Sequence, residues 1–443
     1  MTQETTTKPS ILILCYQFPP VNGTGARRPY YLARQLMDEG HRVSVLTTAI
    51  PEAQPWLPDV EGIAIHRTPI TYVQRDTNVL QRALAKAHHA YRGRVGHGVM
   101  RVAADLLLPE GHIDRWDILP EEVEQHLGRH DIVLATCPQW YPFRLAARLA
   151  KRWNAMFVAD YRDPWNVIIP TLHLRGFTKY GKGLPAMLRN AKMRWAERRW
   201  PGSAFAVTAI SGPLLENAIK ATEVQRSMVV HGGFDPALRP IPFKPNDRFT
   251  LVYTGRVYPQ QDWDIVLHTI AGMHQADPLL KEKLRIALYG AVSNDETLLA
   301  RIAAVSDRTG VIELLPRLGR ADTMHAQQTA DALLHISPDH HKGGMPVKFL
   351  EYLGAGRPIL LLIKENDLES DVLMRTRTGV IVRDAEALQR LLSERLAVWH
   401  AGEQWHIDPE RAQLETFNYA YQMRLLTTKL WEWYAEFTDP PIA

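Results

Sequence analysis

Cysteine is scarce in this chain of 443 residues: Cys15 and Cys137 are its two cysteines, and no CxxC pair occurs. The count excludes a disulfide framework or a zinc ribbon and favours a reducing cytoplasm. Long hydrophobic runs are missing too, since no stretch of about 18 residues is predominantly apolar and free of charge, so no membrane-spanning helix is predicted. The residues before the first apolar run hold Glu4 and a single Lys8, which argues against a secretory signal.

A strong excess of one charge is also lacking, because the formal net charge is only +4. Hydrophobic residues make up 46% and charged residues 23% of the chain, which is ordinary globular usage. That composition excludes a wholly disordered, collagen-like or coiled-coil protein. At roughly 150 residues per domain, the length predicts two or three domains.

The basic residues are nevertheless concentrated in two segments. Residues 175–199 hold eight basic side chains against the single Glu197, and residues 82–101 hold five with no acidic one. In the first segment Leu184, Leu188, Ala191 and Trp195 form one apolar helical stripe. Two interpretations stay open: a helix packed on its own core with a solvated basic face, or a surface that meets anionic lipid or a phosphorylated acceptor. Nucleic acid is less favoured, because no RNA- or DNA-binding motif is present.

Short apolar runs alternate with amphipathic stretches along most of the chain, which predicts parallel sheets covered by helices on both faces. The predicted strands are 11–15, 42–46, 63–66, 132–135, 156–159, 204–208, 228–231, 249–253, 284–289, 311–314, 332–336, 358–362 and 380–382. Residues 235–247 contain four prolines and are predicted to be a linker. After residue 412, a helical face is predicted from the spacing of Leu414, Phe417, Tyr421 and Leu425.

Three loops combine features suited to a ligand. Residues 18–28 follow a buried strand with Gly23 and Gly25 before a helix, where free amides can meet an anion. Residues 157–165 end a strand on Arg162 and Asp163, which either bond each other or hold a polyhydroxylated or charged substrate. His340 and His341 in a later loop are adjacent and therefore point apart, so we interpret them as surface histidines rather than metal ligands.

The block 343–360 carries the strongest signal. Pro346 suits the first turn of a helix, and the glycines before it, including Gly344, leave amides open for a diphosphate. The residues predicted to border the diphosphate are Gly344, Met345, Pro346 and Val347, of which Pro346 has no amide hydrogen to donate. Glu351 lies more than one turn deeper, where a carboxylate can accept hydrogen bonds from a vicinal diol such as a ribose.

These motifs resemble the retaining glycosyltransferases of family 4, which have the GT-B fold. The resemblance covers nearly the whole chain, and it rests on five marks: Phe18-Pro19-Pro20 with Gly23, Gly25 and Arg27-Arg28; Arg162-Asp163-Pro164-Trp165; Gly232-Gly233-Phe234-Asp235; Tyr253-Thr254-Gly255-Arg256; and Pro346-x-Lys348-x-x-Glu351-Tyr352-Leu353 with Gly356 and Pro358. It implies an α/β protein of two Rossmann-like domains facing across a cleft. The bounds we predict are 1–238 for an acceptor-binding domain, 246–412 for a nucleotide-sugar-binding domain, and 413–443 for a helix that returns to the first domain.

The resemblance also implies an activity: metal-independent transfer of a sugar from a nucleotide-diphosphate sugar to a hydroxyl acceptor with retention. The acceptor class it implies is a saccharide or a lipid-linked molecule, in cell-surface polysaccharide or glycolipid synthesis. Glu351 is implied to bind the ribose, and the amides near Lys348, with the Gly23–Gly25 loop, to bind the diphosphate. Arg256 and Lys348 are predicted to stabilise charge, while Arg162 or Asp163 lies beside the transferred sugar. We expect no cofactor besides this co-substrate, no nucleic acid partner, and a cytoplasmic location with peripheral contact to the inner membrane face.

The chain departs from the family pattern at three places, one of which is Gly232, where an asparagine is usual. Gly343 stands where many members have a glutamate, and Gln260 and Gln261 stand where a lysine is common. Lys348 is predicted to supply the missing cation. These departures leave two alternatives open: a nucleotide-sugar epimerase or phosphorylase of the same fold, and a non-catalytic protein that binds nucleotide sugars.

Overall fold

The protein is described by a computed structural model, which covers residues 8–51, 55–69, 121–137, 141–163, 191, 194–242, 244–293, 295–338 and 344–439. Its contacts divide the chain into two units. Unit 1 comprises Met1–Val230 together with Met423–Ala443, and unit 2 comprises His231–Gln422. No helix within these described ranges is long and apolar enough to cross a membrane.

Unit 1 is built on a seven-stranded parallel sheet in the order β3-β2-β1-β4-β5-β6-β7. Its strands are β1 Ile11–Cys15, β2 Val43–Ala49, β3 Ala64–Pro69, β4 Ile132–Cys137, β5 Met156–Tyr161, β6 Ala206–Ala209 and β7 Ser227–Val229. Its helices include α1 Thr24–Asp38, α2 Glu121–Leu127, α3 Tyr141–Trp153 and α4 Gly212–Thr222. Strands β1 and β5 are buried along their whole length, as expected when helices cover both faces of a parallel sheet.

Unit 2 repeats this plan with a six-stranded parallel sheet in the order β10-β9-β8-β11-β12-β13. The strands are β8 Phe249–Thr254, β9 Leu284–Tyr289, β10 Ile312–Leu315, β11 Ala332–Ile336, β12 Ile359–Leu362 and β13 Gly379–Val382. The helices include α5 Trp263–Ala276, α6 Glu296–Thr309, α7 Arg320–Thr329, α8 Val347–Ala355, α9 Leu368–Thr376, α10 Ala385–His400 and α11 Arg411–Glu415. The predicted α/β class with two Rossmann-like sheets is therefore confirmed.

In both sheets the strand order reverses beside the first strand, between β1 and β4 and between β8 and β11. The loops that leave the carboxyl ends of these strands diverge to opposite faces of the sheet, which leaves a crevice where ligands bind in open α/β sheets. The loop after β1 contains Gly23, and the loop after β8 contains Arg256. Both loops therefore lie at the crevice where the strand order of their sheet reverses.

The last helix is α12, Tyr419–Thr438, and its buried face differs from the face predicted from the sequence. Tyr421 and Leu425 are exposed. They leave the predicted face because α11 ends at Glu415 and a separate helix, with its own register, begins at Tyr419. The buried face is formed instead by Met423, Leu426, Leu430 and Trp433. From Met423 onward the helix belongs to unit 1, where Thr427 donates a hydrogen bond to Glu39 (2.6 Å) and the Trp431 ring stacks on His41 at a centroid distance of 4.1 Å.

Candidate functional site

Lys348 joins helix α8 to the loop after β8 at the crevice of unit 2. Its Nζ donates hydrogen bonds to the hydroxyl of Tyr253 at 2.7 Å and to the carbonyl oxygen of Arg256 at 3.0 Å. The ammonium also lies 4.0 Å from the centre of the Tyr253 ring, within cation–π range. Gly255 adopts a positive φ of 88° between these contacts, a conformation that glycine accepts without strain. Lys348 and Arg256, both predicted from sequence, are therefore brought together here.

Partial burial makes Lys348 an unusual lysine. Desolvation lowers the pKa of its ammonium from the ordinary 10.5 to about 7, and the negative charges of Glu369 and Glu351 oppose this shift only in part. At neutral pH the side chain is thus divided between charged and neutral forms. An anion placed beside it favours the charged form, so the site gains positive charge when an anionic ligand binds.

Gln261, which stands where the family commonly has a lysine, has a structural role in unit 2. Its side chain is buried and donates to the Ile336 carbonyl oxygen at 2.7 Å. Its Oε1 accepts from the Tyr258 amide at 2.9 Å and lies 3.0 Å from the Tyr253 hydroxyl. Gln261 therefore ties the loop after β8 to the end of β11 and holds the tyrosine that contacts Lys348.

Helix α8 begins one residue later than predicted, which corrects the place of Pro346. Pro346 is the N-cap in an extended conformation (φ −60°, ψ 144°), and the first helical residue is Val347. Pro346 itself makes no side-chain hydrogen bond to the amides of this helix end. The first amides of α8, at Val347 and Lys348, thus begin a helix whose terminus attracts anions, with Gly344 and the buried Met345 directly before it.

Glu351 lies one turn further along α8 and is 17% exposed at its side chain. Its Oε1 accepts a hydrogen bond of 3.4 Å from Nη1 of Arg320, whose Nη2 donates to Asp235 at 3.0 Å. Sequence reasoning missed Arg320. The signal available was a cation directly after Gly319 at the start of an amphipathic segment, but its pairing with Glu351, 31 residues away, is visible only in three dimensions.

In unit 1, Arg162 stabilises the glycine loop that opens α1. Pro29 within α1 has no amide hydrogen, so the carbonyl of Gly25 lacks its usual partner four residues on. Nη1 of Arg162 donates to that carbonyl at 2.8 Å, and Nη2 donates to the carbonyl of Thr24 at 3.3 Å. The structure thus brings the predicted residues Arg162 and Gly25 together, with a physical reason for the contact.

The two glycines of this loop also permit close approach of another side chain. A Cβ atom at Gly23 or at Gly25 meets Oε1 of Gln17 at 2.2 or 2.4 Å, well inside contact distance. Asp163, predicted beside Arg162, follows β5 at the carboxyl edge of the sheet. Pro164 and Trp165 of the same motif, together with His340, His341 and Gly343, lie outside the described residues.

Beneath the loop, Arg28 and Asp160 form a buried ion pair that the sequence did not indicate. Two hydrogen bonds join them, from Nε to Oδ2 (2.8 Å) and from Nη2 to Oδ1 (2.7 Å). Hydroxyls of Thr136 and Thr208 each donate to the same carboxylate at 2.6 Å, and Arg28 also donates to the Val230 carbonyl at 2.9 Å. These contacts outweigh desolvation and lower the pKa of Asp160, so it stays ionised and links α1 to strands β4, β5 and β6.

Asp262 and Asp264 have the Asp-x-Asp spacing of some metal sites, yet each contacts a cation. Asp262 lies 2.8 Å from Nζ of Lys364, and Asp264 pairs with Arg301. Over the ranges that the structure describes, no three His, Cys, Asp or Glu side chains are grouped so that they could hold a metal ion.

Comparisons with known proteins address the fold. No family model matches the chain. A glycosyltransferase from Rickettsia africae ESF-5 superposes with a TM-score of 0.56 over 98% of this chain and 99% of its own, at 12% identity. Anabaena HepE, in a complex with UDP and glucose, gives 0.57 over 96% of this chain and 100% of its own, also at 12% identity. Sucrose-phosphate synthase from Thermosynechococcus elongatus gives 0.55 at 13% identity, over 96% of this chain and 100% of its own. The chain therefore has the GT-B fold.

One curated relative shares a shorter stretch of sequence. The D-inositol 3-phosphate glycosyltransferase of Thermomonospora curvata is 37% identical over 68 residues. The match spans 15% of this chain and 16% of that protein, about one sixth of the relative's length. The chain thus resembles glycosyltransferases both in its fold and in this segment.

Proposed function

We propose that this protein is a retaining, metal-independent glycosyltransferase that takes a sugar from a nucleotide-diphosphate sugar. The observation that carries the proposal is the start of α8, where a helix terminus with a proline N-cap, a cation and a partly exposed carboxylate lie at the crevice of the second sheet. This combination matches the three parts of a nucleotide diphosphate: two phosphates and a ribose.

The diphosphate is assigned to the helix terminus. Amides at Val347 and Lys348 attract the phosphate charge, and the Lys348 ammonium acts as the counterion. Arg256 adds a second, exposed cation from the loop after β8. Gly344 and Met345 precede these amides. In unit 1, Gly23 and Gly25 lie at the start of another helix, α1, whose terminus also attracts anions.

The ribose is assigned to Glu351. An ionised carboxylate is purely an acceptor, so its two oxygens suit the two hydroxyls of a vicinal diol. Glu351 also acts electrostatically on Lys348, because its negative charge supports the protonated form of that amine.

The reaction that follows from this arrangement is displacement of a diphosphate while an oxocarbenium-like sugar forms. Lys348 and Arg256 stabilise the negative charge on the departing phosphate oxygens, which is the principal electrostatic requirement of the step. As the bond between the anomeric carbon and the phosphate oxygen breaks, the acceptor oxygen forms a bond to that carbon on the same face, and its proton passes to the departing phosphate. Attack on the face that the phosphate leaves retains the anomeric configuration. Asp163 positions the transferred sugar and Arg162 holds the loop of unit 1. No cofactor beyond the nucleotide sugar takes part.

A panel of donor nucleotides tests the proposal. Saturating UDP, GDP, ADP or dTDP, and their hexose conjugates, is expected to raise the unfolding temperature of the full chain for one base class. A ligand at 100 times its Kd stabilises by about 2.7 kcal/mol, equivalent to a few degrees for units of this size. Glu351→Gln is expected to lose most of this shift, because a neutral amide offers one acceptor oxygen instead of two.

The control for that panel is Glu296→Gln, which removes an exposed carboxylate from α6 of the same unit. It is expected to keep the full shift. The proposal is abandoned if every nucleotide leaves the wild-type unfolding temperature unchanged. Saturable binding without transfer to any saccharide or lipid-linked acceptor supports the non-catalytic alternative instead.

The acceptor we propose is a saccharide or a lipid-linked hydroxyl compound, reached from the cytoplasm at an anionic membrane surface, in polysaccharide or glycolipid synthesis. The exposure of Trp195 supports a membrane-facing surface. Its side chain is 57% exposed and does not extend a buried apolar stripe, while the adjacent Ala196 is buried. Arg199 lies over the Trp195 ring at 5.6 Å, and Arg194 is exposed beside it. The basic residues within 82–101 and 175–193 all lie outside the described residues.

Vesicle binding tests this surface. We expect Trp195→Ala to reduce co-sedimentation with vesicles of 70% phosphatidylcholine and 30% phosphatidylglycerol by about threefold or more, since it removes the apolar ring between cations. Leu279→Ala is the matched control, because Leu279 is an equally exposed apolar side chain (61%) in unit 2. Equal losses in both variants, or no binding by the wild type even at low salt, contradict a specific membrane surface.

A further inference from the structure

Arg320 contacts two carboxylates from separate parts of unit 2. It is the first residue of α7, directly after the N-cap Gly319. One carboxylate belongs to Asp235, in the segment before β8, and the other to Glu351 on α8. The three side chains are 14%, 20% and 17% exposed, so they form a cluster that solvent reaches.

The two contacts of Arg320 differ in length. The contact with Asp235 is 3.0 Å, and Asp235 is itself held by an amide bond from Ala237 at 2.9 Å. The contact with Glu351 is 3.4 Å, longer than the 2.7–2.9 Å typical of a charge-assisted bond. Asp235 therefore anchors the guanidinium, which also contacts the carboxylate of Glu351.

Stability alone does not account for this arrangement. A mostly buried ion pair gives little net stabilisation, because desolvation of the two charges offsets much of their attraction. The planar guanidinium fork is suited instead to fixing a carboxylate in one orientation. A group that orients Glu351 acts on the ligand that Glu351 binds.

We propose that Arg320 is a positioning residue for Glu351, and that it gives the site its preference for a ribose over a deoxyribose in the donor nucleotide. The inference rests on the proposed function, because it concerns the sugar that Glu351 contacts. Arg320, anchored by Asp235, holds the carboxylate so that its oxygens meet both hydroxyls of the ribose. A site built to bond a hydroxyl discriminates strongly against an analogue that lacks it.

Calorimetric titration of the full chain separates these effects. The probes are the best-binding of UDP, GDP and ADP together with its 2′-deoxy and 3′-deoxy forms. Arg320→Gln is expected to weaken the ribonucleotide five- to twentyfold but both deoxy forms less than twofold. In the Glu351→Gln background, Arg320→Gln is expected to have no further effect, and Arg320→Lys to restore part of the selectivity.

Two additional variants keep the test decisive. Arg308→Gln removes an exposed cation from α6 and is expected to change neither affinity nor selectivity. Asp235→Asn loosens the anchor without altering Arg320 or Glu351 and is expected to lower selectivity two- to threefold, a readout that remains should Arg320→Gln fail to fold. Equal weakening of the ribonucleotide and deoxy forms by Arg320→Gln, or unchanged selectivity, overturns the inference while leaving the proposed function intact. Binding of dTDP but of none of these three nucleotides also overturns the inference, because dTDP lacks the 2′-hydroxyl. Failure of the wild type to bind any of the four overturns the proposed function itself.

Discussion

Arg28→Met is expected to lower the free energy of unfolding of unit 1 by about 3–5 kcal/mol, because it leaves the buried, ionised Asp160 without its counterion. The hydroxyls of Thr136 and Thr208 remain, but they cannot balance a full charge. Urea unfolding followed by hydrogen exchange in peptides from β4, β5 and β6 measures the change. Because the pKa of Asp160 is lowered on folding, the stabilisation is present at neutral pH and is lost as the pH falls through the folded-state pKa, below the ordinary 3.8.

The matched control for this prediction is Arg152→Met. Arg152 also pairs with a carboxylate in unit 1, that of Glu124, but its side chain is 67% exposed. An exposed pair contributes about 0–1 kcal/mol, so this variant is expected to change stability little. The double variant Arg28→Met with Asp160→Leu is expected to recover much of the loss, because the unpaired charge is removed. Similar effects of Arg28→Met and Arg152→Met contradict a buried, uncompensated charge.

Lys348→Met is expected to weaken binding of the nucleotide sugar about 10- to 100-fold at pH 7, through loss of charge-assisted hydrogen bonds to the diphosphate. Binding by the wild type is expected to take up about one proton at pH 8, because the free amine has a pKa of about 7 and a bound diphosphate raises it. Wild-type affinity therefore falls as the pH rises above 7. Calorimetry in two buffers of different ionisation enthalpy measures the proton uptake.

The lowered pKa of Lys348 also predicts how the stability of the protein depends on pH. Between pH 7 and 10.5 the folded protein holds fewer protons on Lys348 than the unfolded chain, so the free energy of unfolding rises with pH across that window. In Lys348→Met, this rise in the free energy of unfolding with pH is expected to be absent. Lys281→Met, which removes an exposed lysine of unit 2, is expected to keep both the proton uptake and the rise in stability. Proton uptake by Lys348→Met equal to that of the wild type would falsify the assignment of the titrating group.

The sequence predicts the strands well because buried parallel strands are short, uniformly apolar runs that helices separate. It also places Lys348 and Glu351 on one helix, since three residues bring side chains to neighbouring positions on a helical surface. It misses the pair Arg28 and Asp160, which are 132 positions apart, and the pair Arg320 and Glu351, which are 31 positions apart. Such residues come into contact only through the order of the strands in the sheet. The terminal helix shows a different cause: the break between α11 and α12 shifts the register, so Tyr421 and Leu425 leave the buried face.

The path of α12 has a consequence for biosynthesis. Its residues from Met423 onward belong to unit 1, whose remaining residues precede all of unit 2 along the chain. On the ribosome, the sheet of unit 1 emerges before unit 2, while the segment that contacts Glu39, His41 and Phe205 is translated after unit 2. The first unit to appear is therefore the last to be completed, and until then its uncovered surface is exposed to chaperones and proteases.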